Sequence, residues 1–180
     1  HILTSNIIIN QIGEIKGTPE EIARLEGEEH AVRLFAFFML TNIYGEPYDP
    51  ATASTAMGVP LNYHHYAEDV SFPRATVAED YAEMVKDIEG AMTAFAKADN
   101  EGTIYRWNAA ATAVLASRVY LHMQDWDSVI KYADQALSLN GALHDLNKLP
   151  APGSDEAKIF LGKENREINF SYGFGWIPEL

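Results

Sequence analysis

The 180-residue sequence contains no cysteine, which excludes disulfide bonds, thiol nucleophiles and cysteine-ligated metal sites. Basic residues are also scarce: 13 lysines and arginines stand against 26 acidic residues, so the formal net charge is −13 at pH 7. A chain this acidic repels phosphate backbones and anionic membrane surfaces. We therefore expect no nucleic-acid partner.

Long apolar runs and catalytic signatures are missing as well. No segment approaches the ~18 apolar residues that a membrane-spanning helix needs, and no signal peptide is visible. The sequence begins at His1 rather than Met, which predicts a fragment of a longer protein, so a missing targeting signal carries little weight. It has no glycine-rich phosphate loop, nucleophile elbow or metalloprotease helix. The hydrophobic fraction of the sequence is 47%. This value is ordinary for one soluble domain with a core.

Helical periodicity dominates the first half of the chain. Apolar spacing over 2–15 predicts a helix, although its run of isoleucines also permits a strand. Two Thr-x-x-Glu capping boxes, beginning at Thr18 and Thr76, predict helices over 19–44 and from 77 to about 97. The first of these helices is apolar on both faces in its second half, which indicates that neighbouring elements cover it on two sides.

The segment 108–140 reads as two short helices joined by two residues, capped at Asn108 and Asp125. Such a joint forces the helices to lie antiparallel. Small and aromatic residues recur here as they do in a tetratricopeptide unit. The small residues expected at the helix contact are Ser117, Val129 and Ala136. The two aromatic positions are Tyr120 and Trp126. We expect Trp107 and Trp126 to belong to the core, and the hairpin to need stacked neighbours.

Two stretches depart from helix. Residues 46–75 hold four prolines and many small residues, which predicts a long loop, and a loop of this length is usually functional or part of an interface. Residues 167–174 alternate like a strand. The sequence therefore predicts one mostly α-helical domain over 1–180, built from antiparallel hairpins of tetratricopeptide type, with a long irregular loop and a short strand near the carboxyl terminus.

Five segments carry recognisable motifs: an aromatic helix ending in Tyr-Gly-x-Pro, a short Gly-Val-Pro-Leu piece, an Arg-Ala-Thr-Val helix, a helical hairpin and a Glu-x-x-Glu-Ile-x-Phe strand. They lie at 27–47, 58–61, 74–92, 106–137 and 164–171. In this order they resemble the SusD/RagB family of outer-membrane nutrient-binding proteins, whose first motif ends in Tyr/Phe-Gly-x-x-Pro, one residue longer than here. Family members are much longer, with a lipoprotein signal and a large carboxyl-terminal half, so the resemblance identifies an internal segment.

The resemblance implies a surface-exposed lipoprotein of the outer membrane. Such a protein captures glycans or oligosaccharides and delivers them to a SusC-type TonB-dependent transporter, and it is not an enzyme. The tetratricopeptide helices would pack against that transporter. No cofactor is implied. The alternative is a free-standing tetratricopeptide adaptor that binds a protein or peptide; a lipoprotein signal upstream and a neighbouring transporter gene would distinguish the two.

The polar residues that could form a metal site, an anion or sugar contact or a catalytic pair have simpler structural explanations. His64 and His65 are adjacent and lack a third ligand nearby, so we expect loop histidines and no metal site. Arg33 has Glu29 one turn before it, which favours an ion pair over an anion or sugar contact. Paired acids for glycoside hydrolysis must face one bond. The acids Glu68, Glu79 and Asp80 sit in a loop and a first helical turn instead, where acids serve the helix dipole.

Aromatic residues outside the helical stripes are the positive signal for binding. Sugars present apolar C–H faces to exposed rings, and their hydroxyls need polar partners. The candidates for glycan or partner contact are Tyr48, Asn62, Tyr63, Tyr66, Tyr172 and Trp176. For the loop tyrosines, packing against the helices is the equal alternative.

Overall fold

The computed structural model describes residues 1–67, 69–98, 103–149, 153 and 165–171. Within these residues five α-helices follow one another, and each packs on the next. They are α1 (Ile2–Gln11), α2 (Pro19–Tyr44), α3 (Val77–Phe95), α4 (Ala109–Met123) and α5 (Trp126–Leu139). Single 3₁₀ turns lie at Ile12–Glu14 and Leu146–Lys148. The mostly helical fold predicted from periodicity is confirmed, and the isoleucine-rich first segment is a helix rather than a strand.

Local capping chemistry places the helix starts. The Thr18 hydroxyl accepts the backbone N–H of Glu21 at 3.2 Å, and the Glu21 carboxylate accepts the Thr18 N–H at 2.8 Å. The same reciprocal pair forms between Thr76 and Glu79. Each box satisfies two backbone donors that a helix start leaves unpaired. Both predicted capping boxes are therefore present.

The core lies where α3 packs against α2 and α4. Among its fully buried side chains are Leu34, Phe37, Met84, Ile88 and Val119. Glycines bring α2 and α3 together: a Cβ added at Gly27 would meet the Phe95 ring at 2.9 Å, and one at Gly90 would meet the His30 ring at 2.8 Å. This close approach makes α2 and α3 the rigid frame for the loop that joins them.

The predicted hairpin forms from α4 and α5. Gln124 turns the chain with φ 61°, and the Asp125 side chain caps α5 by accepting the Ser128 N–H at 3.2 Å. The rings of Tyr120 and Tyr132 stack across the hairpin with centroids 5.4 Å apart, and Ala136 is buried. These contacts give the hairpin the tight interface of a tetratricopeptide unit.

Two details of the hairpin differ from the sequence prediction. Ser117 is half-buried and donates to the Val114 carbonyl at 2.8 Å, while its neighbour Ala116 is fully buried. Trp126 is 58% exposed rather than in the core. It is the first residue of α5, and helical geometry places it on the same outer stripe as Ile130 and Leu137, both exposed.

The strand predicted over 167–174 is wrong within the part of it that is described. Residues 165–171 form a turn and bends. The Asn165 side chain accepts the Glu167 N–H at 2.9 Å, a local bond that competes with extended pairing. The Ser171 N–H donates to the Ile104 carbonyl at 2.6 Å. In the described ranges there is no strand to pair with, only an isolated bridge between Met57 and Thr76. Residues 172–174 lie outside these ranges.

Replacing Ala136 with Phe is expected to lower the free energy of unfolding by about 1–3 kcal/mol, because the added ring must displace packed atoms at the α4–α5 contact. The adjacent change Leu137→Phe, at a position 65% exposed, is the matched control and should have little effect. Chemical denaturation of both variants measures the difference. Equal stability of the two variants would contradict the hairpin packing.

Candidate binding site

The long loop between α2 and α3 is fixed to the helices by Asp80. This side chain is fully buried in the first turn of α3. Its Oδ2 accepts the Val59 N–H at 2.8 Å and the Thr41 hydroxyl at 3.1 Å. Burial raises the pKa of the Asp80 carboxyl, although the Val59 and Thr41 hydrogen bonds oppose that rise. Asp80 thus joins the loop to α2 and α3, a role that the sequence did not indicate.

Gly58 and Arg74 complete this attachment. A Cβ at position 58 would lie 2.2 Å from Asp80 Oδ2 and 2.9 Å from the Thr76 carbonyl oxygen, so only glycine fits. The Arg74 guanidinium donates to the Gly58 carbonyl at 2.7 Å and to the Tyr44 carbonyl at 2.6 Å. Both ends of the loop are therefore held at the junction of α2 and α3.

Two of the predicted site residues, Asn62 and Tyr63, are built into the packing. Asn6 on α1 donates to the Asn62 carbonyl at 2.9 Å, and the Asn62 side chain accepts the His64 N–H at 2.8 Å. The half-buried Tyr63 ring stacks on Phe37 with centroids 5.4 Å apart. Burial also raises the pKa of Tyr63 far above its usual range. Their contacts hold the loop against α1 and α2.

Tyr66 is the loop aromatic that faces outward. Its side chain is 52% exposed. The ring stacks on His64 with centroids 5.3 Å apart, and His65 meets it edge-on at the same distance. The Phe72 ring packs edge-on against His64. We call Tyr66, His64, His65 and Phe72 the Tyr66 patch. It is a cluster of rings next to the part of the loop that packs on α1 and α2.

Tyr48 lies at a separate pocket of about 220 Å³ beside the end of α2. The residues that line this Tyr48 pocket come from α2, the start of the loop, α3 and α4. They are Thr41, Asn42, Gly45, Glu46, Pro47, Tyr48, Tyr81 and His122. The half-buried Tyr48 ring meets the buried Tyr81 ring edge-on at 4.8 Å. None of these residues belongs to the Tyr66 patch.

Arg33 forms an ion pair, but its partner is Asp87 on α3 rather than Glu29. Arg33 Nε and Nη2 donate to the two Asp87 carboxylate oxygens at 3.0 and 2.6 Å. Arg33 Nη1 donates to Asn6 Oδ1 at 2.9 Å, and the guanidinium lies 4.7 Å from the centroid of the Tyr63 ring. Glu29 instead accepts the Ser5 hydroxyl at 2.8 Å. Arg33 thus ties α1, α2, α3 and the loop together and is not a ligand contact.

A second concave surface, of about 370 Å³, lies between α2, α4 and residues 167–170. Trp107 stacks on Phe170 with centroids 4.2 Å apart and tilts against Phe35 at 5.6 Å. Trp107, predicted to be a core residue, is half-buried and packs against the edge of the core. The predicted site residues Tyr172 and Trp176 lie outside the described residues.

Groups of three or more His, Asp or Glu side chains placed to hold a metal ion do not occur among the described residues. Within the same ranges no helix has the length and apolarity needed to cross a membrane.

Comparison with known proteins decides the family. A sequence model whose description reads "Starch-binding associating with outer membrane" matches residues 1–121, more than half of the chain. The chain belongs to the SusD-like family. No curated protein matches it at a significant level.

Solved structures of SusD-like proteins share the fold. A SusD superfamily protein from Bacteroides thetaiotaomicron is 26% identical, with a TM-score of 0.69 over 81% of this chain and 31% of that one. One from Bacteroides vulgatus is 28% identical, with a TM-score of 0.69 over 80% and 33%. A laminarin-binding SusD-like protein, 16% identical with a TM-score of 0.60 over 80% and 29%, shows likeness of fold alone. The chain spans about a third of the length of these structures.

Sequence reasoning missed four residues that shape these surfaces: Asp80, Asp87, Tyr81 and His122. Tyr81 and Asp87 both fit the spacing of α3 as a helix, but nothing in that spacing identifies what each side chain meets. Their partners lie between 33 and 57 residues away in the sequence. A weak signal existed for Asp87 alone: the residues three before it and four after it on the same helix face, Met84 and Ala91, are apolar, and an acid on an apolar face needs a cationic partner.

Proposed function

We propose that this chain is part of a non-catalytic cell-surface protein that binds glycans, and that the Tyr66 patch is the contact surface. One observation carries the proposal: a tyrosine ring that is 52% exposed stands within a cluster of rings on a loop whose base is rigidly attached. Membership of a family described as starch-binding supports the glycan as ligand.

The chemistry of the Tyr66 patch suits a sugar. The exposed Tyr66 ring offers an apolar face to the C–H groups of a pyranose, and stacking on His64 already fixes its orientation. The imidazole of His65 and the tyrosine hydroxyl can exchange hydrogen bonds with sugar hydroxyls. A side chain held in place before binding loses little conformational entropy when the ligand arrives.

The acids near the loop favour binding rather than hydrolysis. A glycosidase needs two carboxyl groups that flank one glycosidic bond. Glu79 accepts the Thr76 N–H at 2.7 Å within its capping box, and Asp80 is buried and fixes Val59. Each of these two carboxylates therefore already has a structural function, which favours binding over hydrolysis. Glu68, the third acid considered for such a pair, lies outside the described residues.

We further propose that the protein is an outer-membrane surface lipoprotein that delivers its glycan to a SusC-type TonB-dependent transporter. The family description places relatives at the outer membrane. The outer stripe of α5, formed by Trp126, Ile130 and Leu137, is exposed and apolar, which fits a protein contact. The same stripe would serve the rival function, a tetratricopeptide adaptor, but an adaptor would not need the Tyr66 patch.

Replacing Tyr66 with Ala is expected to weaken glycan binding by about 1 kcal/mol or more, roughly fivefold to tenfold, since one stacking ring is lost. Isothermal titration against a panel that includes starch oligosaccharides and laminarin measures the change. Tyr105→Ala is the matched control, because Tyr105 is also exposed (63%) but lies outside the loop. Equal affinities of the two variants for every glycan that binds would count against the patch.

A further inference from the structure

Hydrogen bonds hold the loop side of the Tyr48 pocket, and a buried ring forms its floor. The Gly45 N–H donates to the Thr41 carbonyl at 2.8 Å, and Glu46 exchanges two 2.9 Å hydrogen bonds with the backbone of Met57. Tyr81, which forms the floor, is 2% exposed, and the Asn42 side chain donates to the Phe38 carbonyl at 2.7 Å. A pocket with fixed walls needs no reorganisation to admit a ligand.

Its polar groups alternate with ring surfaces. The half-buried Tyr48 supplies aromatic carbon and packs on the buried Tyr81, while Asn42 offers an amide and Glu46 a carboxylate. His122 stands opposite, with its ring edge-on to Phe38 at 5.1 Å. Burial, aided by the charge of Arg118, lowers the pKa of His122, so its imidazole is neutral at pH 7 and has one donor and one acceptor nitrogen. Groups of this kind suit a ligand that has both C–H faces and hydroxyls.

The volume of the Tyr48 pocket and the charge of its lining limit the class of ligand that it can bind. A volume of about 220 Å³ is below the ~300–1,000 Å³ of sites for drug-sized molecules. The carboxylate of Glu46 is the one formal charge among the lining side chains at pH 7, since His122 is neutral. It would repel a phosphate or carboxylate group, as would the net charge of −13 on the whole chain.

We propose that the Tyr48 pocket binds one neutral pyranose ring, either a free monosaccharide or the end of a glycan, as a second subsite distinct from the Tyr66 patch. The inference rests on the proposed function, because it assigns the pocket to the same class of ligand. The sugar ring sits against Tyr48, whose own ring packs on Tyr81, and its hydroxyls bond to Asn42, Glu46 and His122.

The test is a titration of the whole chain with glucose, galactose, mannose and xylose. The side-chain NMR signals of His122 and Tyr81 are recorded at each sugar concentration. We expect at least one sugar to shift these signals in a saturable way. Tyr48→Ala should weaken that sugar about threefold to tenfold, Tyr48→Phe should keep its affinity, and Tyr66→Ala should not change it. Should Tyr48→Ala fail to fold, His122→Ala supplies the same comparison, read from Tyr81.

Comparing a charged sugar with a neutral one provides an independent test. Glucose 6-phosphate should bind more weakly than glucose, and the reverse order would overturn the neutral ligand. If glycan polymers bind through the Tyr66 patch while none of the four monosaccharides shifts the His122 or Tyr81 signals, the pocket inference fails and the proposed function stands. If neither polymers nor monosaccharides bind, both fail.

Discussion

Replacing Asp87 with Asn is expected to lower the free energy of unfolding by about 3–5 kcal/mol. The Asp87 side chain is 1% exposed and the Arg33 side chain 10%, so the change leaves a buried guanidinium without a counter-charge. His30 loses its carboxylate partner as well, 2.8 Å from its Nδ1. Because Arg33 also holds Asn6 and covers the Tyr63 ring, α1 and the loop should loosen together with α3.

Urea denaturation measures this effect, and Glu89→Gln is the matched control. Glu89 lies two residues further along α3, is exposed, and loses the same charge when replaced. It should change stability by less than about 0.5 kcal/mol. The double variant Arg33→Met/Asp87→Leu should recover much of the loss, because neither charge then remains buried. If Asp87→Asn is as stable as Glu89→Gln, the ion pair does not hold the three helices together.

Replacing Asp80 with Ala is expected to cost about 2–4 kcal/mol, because the Val59 N–H and the Thr41 hydroxyl lose their buried acceptor. The loss is partly offset, since a carboxylate whose pKa is raised by burial is itself unfavourably placed. The local consequence matters more for function: the base of the loop detaches from α3, and the Tyr66 patch loses its rigid support.

Amide hydrogen exchange distinguishes this local opening from general destabilisation. In the Asp80→Ala variant the Val59 amide should exchange much faster than amides in the middle of α3. Glu89→Ala, which removes an exposed acid from the same helix, should leave the Val59 amide protected. Retention of full Val59 protection in Asp80→Ala would show that other contacts hold the loop.

The helices could be predicted because their signals are local. The capping boxes at Thr18 and Thr76, and the caps at Asn108 and Asp125, each involve residues three positions apart. The loop could be predicted for the same reason, since its prolines exclude helix. Over 167–171, the part that the structure describes, the strand prediction failed because a strand needs a partner elsewhere in the chain, and alternation alone does not provide one.

Which face of α2 is buried could not be predicted, because both faces are apolar. The apolar face that contains Met39 and Ile43 is exposed, at 40% and 60% for these two side chains. Leu34, Phe37 and Phe38 are buried. Packing of α3 decides between the faces, and that packing depends on contacts about fifty residues apart in sequence. The Arg33–Asp87 pair illustrates the same limit: helical spacing suggested Glu29, but the partner lies 54 residues away.

The binding role of the loop stays a prediction, made from its length and aromatic content. The structure places Tyr66 at an exposed position and Tyr48 at a concave one. Tyr63 and Asn62 could not be separated from them by sequence, because the same residue types also serve as packing groups. Tyr81 and His122 occur in helical segments, where an aromatic residue ordinarily indicates core.

The measurement that tests the central claim most directly is NMR mapping of backbone amides while the whole chain is titrated with an oligosaccharide that binds it. We predict that the largest shift changes lie at residues 64–66 and 72, around the Tyr66 patch, and that the oligosaccharide remains intact at the end of the titration. Changes confined to the outer stripe of α5, or cleavage of the oligosaccharide, would contradict a glycan-binding, non-catalytic loop.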